Sequence, residues 1–164
     1  MMEENPLYEN AKQRAFRLLA VRARSEKELR SRLKERGYDE SVVSGVTTRL
    51  RELKYLDDES FARGWARNLA VNRLLGNGRI EASLREKGIP RELIEQVINE
   101  VREELSEREA LMALLRKKAK HSTVKMDYRD KIKLARSLMG KGFSPDLIFT
   151  TLRTTKEEFV DEGE

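Results

Sequence analysis

The chain has 164 residues, 38% hydrophobic and 38% charged, with a formal net charge of +5. It lacks cysteine and has a single histidine, His121, which excludes disulfides, thiolate metal sites and multi-histidine metal clusters. No apolar run approaches the ~18 residues of a membrane-spanning helix, and the opening Met-Met-Glu-Glu-Asn-Pro lacks the basic-then-apolar pattern of a secretory leader, so the expected place is the cytoplasm.

Apolar residues recur with helical period and β-branched runs are missing, so the expected class is all-α. A first helix is predicted from about Tyr8 to Arg24, with Ala15, Leu18, Leu19 and Arg22 at helical spacing. Ser25 and Glu28 form a capping box, and the helix they open buries Leu29 and Leu33 before Gly37, a left-handed C′ glycine. Asp39 caps the next helix, which carries Val42, Val43, Val46, Leu50 and Leu53. Tyr55-Leu56-Asp57-Asp58-Glu59-Ser60-Phe61-Ala62-Arg63-Gly64-Trp65 follows: Asp57 caps, Leu56 and Phe61 form a hydrophobic staple, and Phe61 and Trp65 pair on a buried face. That helix runs to about Leu75 and is broken by Gly76-Asn77-Gly78. Ile80 and Leu84 mark the next, Gly88 ends it, and Pro90 opens a stripe of Leu93, Ile94, Val97, Ile98 and Val101. Ser106 and Glu109 form a second capping box ahead of Leu111, Leu114 and Leu115. After the polar loop His121-Ser122-Thr123, a helix from near Asp127 carries Leu134 and Leu138 to Gly142, and Ser144-Pro145 opens the last, with Leu147, Ile148 and Leu152. From Lys156 onward the chain is acidic and is expected to be mobile.

The pattern repeats with a period of about 50 residues. Gly37, Gly88 and Gly142 align; so do Leu33, Leu84 and Leu138 before them, and Tyr38, Ile89 and Phe143 after them. The preceding cations Arg36, Lys87 and Lys141 align as well. The expected architecture is three tandem three-helix repeats over residues 8–56, 57–105 and 106–154, followed by the tail 155–164, in an elongated, curved array.

No catalytic constellation stands out, so no enzyme activity, cofactor or metal is expected. Gly76-Asn77-Gly78-Arg79 offers backbone N–H groups to a phosphate, but a helix-breaking turn explains it better. Asp57-Asp58 is better read as capping than as an acid–base pair, and His121 as a solvated loop residue. The first and third repeats are basic around an acidic middle, which suits a polyanion partner but equally a solvated charged surface. One basic cluster comprises Arg22, Arg24, Lys27, Arg30, Arg32, Lys34 and Arg36; another comprises Arg116, Lys117, Lys118, Lys120 and Lys125. Few aromatics accompany them, so base stacking has weak support. Arg36, Lys87 and Lys141 either line one contact face or serve local helix dipoles.

Tyr55-Leu56-Asp57-Asp58 with Phe61-Ala62 and Trp65, then Gly78-Arg79 with Leu84 and Lys87-Gly88-Ile89, and Leu18-Leu19, Arg22, Ser25, Glu28-Leu29 and Leu33 ahead of them, resemble the RecX family. The resemblance spans residues 12–154. It implies a non-catalytic regulator that binds in the groove of the RecA recombinase filament on single-stranded DNA and inhibits its strand exchange and ATPase. The basic first and third repeats lead us to expect weak binding to single-stranded DNA, and, with no long dimerising helix evident, a monomer is expected. Arg22, Arg24, Arg32, Arg36, Arg79, Lys87, Lys117, Lys118 and Lys141 are the candidate contacts. The rival reading is a helix-turn-helix transcription regulator, which needs side chains aimed at base edges and usually a dimer.

Overall fold

The structure, a computed structural model, describes residues 5–119 and 126–161. The polar loop His121-Ser122-Thr123, Lys120 and Lys125 lie outside them, as does the end of the acidic tail. The described residues form nine α-helices and no strand. The first unit comprises α1 (Pro6–Val21), α2 (Glu26–Glu35) and α3 (Glu40–Glu52). The second comprises α4 (Asp58–Arg67), which runs on into a π-helical segment (Asn68–Asn72), then α5 (Asn77–Glu86) and α6 (Arg91–Glu104). The third comprises α7 (Glu107–Ala119), α8 (Tyr128–Gly140) and α9 (Pro145–Asp161).

Short polar side chains take up free N–H groups where the local sequence predicts them. Asp39 accepts from Val42, Asp57 from Glu59 and Ser60, and Ser25 and Ser106 exchange capping-box bonds with Glu28 and Glu109. Gly37, Gly88 and Gly142 stand at φ 90, 79 and 96°, closing α2, α5 and α8 as C′ glycines.

Four boundaries and contacts differ from the sequence reading. First, α1 ends at Val21, because residues 22–25 must turn so that Ser25 can cap α2; its core face is Tyr8, Ala11 and Ala15. Second, Asn77 opens α5 rather than breaking a helix, with Gly76 as its cap. Third, α9 continues through Asp161, past the expected start of a mobile tail, since Lys and Glu favour helix and the first breaker is Gly163. Fourth, Leu56 and Phe61 do not staple one another: Leu56 fills the first core and Phe61 the second.

Each unit closes its own core. Tyr8, Leu29, Leu33, Val43 and Leu50 are central to the first; Phe61, Leu69, Ile80, Leu84 and Val97 to the second; Leu111, Leu138, Phe143 and Ile148 to the third. Extensive helix packing stays within a unit, apart from the π segment resting on α7. The units therefore succeed one another in a tandem array, and grooves form where they meet.

Candidate functional site

The first junction places the turn after α3 and the segment after α1 against α4. Leu53 closes α3, and Lys54 follows in the left-handed conformation, φ 63°, at the C′ position where α2, α5 and α8 carry glycine. Lys54 and Tyr55 thereby stand opposite Phe61, Gly64 and Trp65 on α4. Arg22 and Arg24 complete the wall of a groove of about 430 Å³, with Ala23, Asp57, Ser60 and Asn68. Tyr55 is 59% exposed and packs edge-on to Phe16, with ring centroids 4.9 Å apart. Burial and the charge of Arg22 depress the proton affinity of Arg24, whose Nε donates to the Leu18 carbonyl. Asp57, the acid on this wall, is engaged in capping α4.

A second groove, of about 320 Å³, lies on the other side of Trp65. Leu69, Arg73, Leu75, Arg79, Ala82, Ser83, Glu86, Gly140 and Lys141 line it. Trp65 is the wall the two grooves share. Lys54, Arg73, Arg79 and Lys141 form no ion pair among the described residues. By contrast, Arg63 and Arg67 of α4 are paired with Glu100 and Glu104 of α6 at 2.8 and 2.6 Å. The acids of the middle unit thus neutralise its own α4–α6 side and leave the grooves positive.

A part-buried network leads from Arg22 on the first groove into the junction. Glu28 accepts from Arg22 at 3.0 Å and from Lys87 Nζ at 2.7 Å, and the Lys87 ammonium stands 4.5 Å from the centre of the Trp65 ring. Burial alone would raise the Glu28 carboxyl; the hydrogen bonds from Arg22 and Lys87 outweigh it and hold the pKa at about 2. Asp58, adjacent to the cap, accepts from the backbone N–H of Glu26 at 2.8 Å; burial raises its pKa. At the second junction Glu107 accepts from Asn77 N–H at 2.9 Å. The two bonds are repeat equivalents: the first residue of one unit's opening helix takes the first N–H of the preceding unit's middle helix.

The sequence candidates therefore separate. Arg22 and Arg24 meet on the first groove, Arg79 and Lys141 on the second. Lys87, with a side chain only 16% exposed, is held inside the junction by Glu28 and Trp65, so it does not join Arg36 and Lys141 on an open face. Arg36 is exposed at the C-terminal end of α2, and Arg32 pairs with Glu35. Lys117 and Lys118 lie at the end of α7, apart from both grooves. Gly76-Asn77-Gly78 holds no phosphate cradle: its three N–H groups go to the Lys141 carbonyl, Glu107 and the Gly142 carbonyl. Lys54, Tyr55 and Arg73 were missed; a lysine at a C′ position is the local signal that could have found the first. Among the described residues no group of three His, Asp or Glu side chains could hold a metal, and no helix is long and apolar enough to cross a membrane.

Three tandem three-helix units, stapled through their helix starts, define a helical-repeat protein. The family comparison makes it specific: models for the first, second and third three-helix domains of RecX match residues 11–50, 57–98 and 106–152. The chain belongs to the RecX family of regulatory proteins. It is 34% identical to regulatory protein RecX of Mycolicibacterium smegmatis over 132 residues, 80% of this chain and 70% of that one. It is 31% identical to regulatory protein RecX of Chlorobaculum tepidum over 139 residues, 85% of this chain and 84% of that one. The crystal structure of RecX from Lactobacillus salivarius has the same fold, with a TM-score of 0.74 at 23% identity over 90% of this chain and 96% of that one.

Proposed function

We propose that this protein binds the RecA filament on single-stranded DNA and inhibits its strand exchange and ATP hydrolysis, without catalysis of its own. Family membership directs the reading to RecA. Within the molecule, the observation that carries it is the run of cations along two grooves, one at each junction: Arg22, Arg24 and Lys54 on the first, Arg73, Arg79 and Lys141 on the second, of which, among the described residues, Arg22 alone is held in an ion pair, with Glu28. A tandem array reaches several protomers of a helical polymer, and weak contacts then combine through effective concentration. The proposal places the site of action in the cytoplasm and the protein as a monomer.

The test is the single-strand-dependent ATPase of RecA with this protein titrated in. The expected result is dose-dependent inhibition, with no hydrolysis by this protein alone. Unchanged turnover at saturating protein overturns the proposal. Sequence-selective binding to one duplex would favour the helix-turn-helix regulator instead.

A further inference from the structure

We infer that the first-junction groove takes one unstacked base of a single-stranded nucleic acid, with Tyr55 as platform, Gly64 as floor, and Arg22, Arg24 and Lys54 on the adjoining phosphates. This rests on the reading above, which brings the protein to single-stranded DNA, and adds how the strand is held.

Three features of the groove go beyond what the fold requires. Tyr55 is braced by Phe16 yet 59% exposed, so a fixed aromatic ring is offered outward. Gly64 sits in the interior of α4, where glycine is less favourable than alanine. It has no positive φ, and a Cβ there would meet nothing within 4 Å. The fold does not require this glycine, and its missing side chain leaves the floor beside the stacked Phe61 and Trp65 open. Lys54 adopts a left-handed conformation that glycine would adopt at less cost, and a cation stands at the rim as a result.

Together these make a slot with an aromatic wall, edged by Lys54, Arg24 and Arg22, the last also bonded to Glu28. Single-strand binders use this combination: the π-face of any base stacks, and the backbone follows the positive groove. A duplex keeps its bases inside the stack and cannot fill the slot. An acidic peptide would use the cations but leave the slot empty. Ser60 and Asn68 supply polar groups at the edge of the slot.

Fluorescence anisotropy tests the inference, with labelled oligothymidylate compared against an abasic deoxyribose-phosphate strand of equal length. The wild-type protein is expected to bind the base-bearing strand roughly 5- to 100-fold more tightly. Tyr55→Ala and Gly64→Leu should each abolish that margin while leaving the weaker binding of the abasic strand. Tyr55→Phe should preserve it, because the ring still stacks. Leucine favours helix and a Cβ at position 64 meets nothing within 4 Å on an exposed face of α4, so circular dichroism of that variant should remain native. Equal affinity of the wild-type protein for the two strands overturns the inference, as does a margin that survives in both Tyr55→Ala and Gly64→Leu. RecA ATPase assays run in parallel separate the two readings. Inhibition without any base margin sinks the slot alone, and a base margin without inhibition sinks the RecA reading alone. Inhibition lost in Gly64→Leu, with no base margin in the wild-type protein, assigns the groove to a peptide and also overturns the inference.

Discussion

Trp65 stacks on Phe61 with centroids 5.8 Å apart, donates its indole N–H to Ser83 Oγ at 2.9 Å and carries Lys87 on its ring. Its spacing behind a helix cap suggested a buried ring; it is only partly buried because it is the wall between two grooves. Trp65→Ala is therefore expected to cost about 2–3 kcal/mol in urea denaturation, below the ~3–5 kcal/mol of a core aromatic. Two carboxylates at the same junction respond to acid with opposite sign. Glu28, held at about 2, stabilises the fold fully above the ordinary carboxylate pKa, and that contribution fades as pH falls from 4.5 toward about 2. Its loss amounts to about 3 kcal/mol, and Glu28→Gln should flatten the acid limb of a stability–pH profile. Asp58 is raised, so the folded state binds its proton more readily than the unfolded state and gains stability as pH falls through its titration. Asp58→Asn keeps an acceptor for the Glu26 N–H; the expected outcome at neutral pH is equal or greater stability, where Glu28→Gln destabilises.

The π segment shows what an element contributes beyond its residues. It carries α4 onto α7, and at its end Leu74 takes φ 54°. Leu74 thereby enters the third core, while its neighbour Leu75 stays in the second. One strained residue thus anchors one unit in the next. Leu74→Ala should cost about 2–4 kcal/mol. Hydrogen exchange should show lost protection in α7–α9 while α1–α3 keep theirs; uniform loss across all units would contradict this role. Much of the rest was legible because its causes are local. Ser25-Glu28, Asp57 and the three C′ glycines act within four residues, so pattern reveals them. The π segment leaves no such trace, since its wider hydrogen-bond spacing needs no particular composition. The grooves were hidden for another reason: Lys87 meets Glu28 across 59 residues of chain, and Tyr55 joins Arg22 and Arg24 only once three helices have packed. The weak case for aromatic stacking came from counting neighbours along the chain rather than across the junction.

At the scale of the molecule, the three middle helices follow one another in space. The C-terminal end of α8 lies on the first turn of α5, and that of α5 lies on the first turn of α2, so opposite dipole ends meet at each junction. The two meetings are built differently. Gly76 and Gly78 donate directly to the Lys141 and Gly142 carbonyls at 2.8 and 3.1 Å, and a Cβ on Gly76 would stand 2.4 Å from that backbone. The first junction instead relies on side chains, Lys87 on Glu28 and Gly88 beside Lys27. Lys87→Met is expected to cost about 1–3 kcal/mol by leaving Glu28 short of a partner. It should loosen exchange at residues 22–28 and 84–88 but not at 74–78 and 138–143; equal loosening at both junctions would show that they are not independent. The second junction is thus joined backbone to backbone and the first side chain to side chain. Tyr55 and Arg22 belong to the first unit and Gly64 and Asn68 to the second, so the width of the slot beside Trp65 is set by the ion pair that seats one unit on the other.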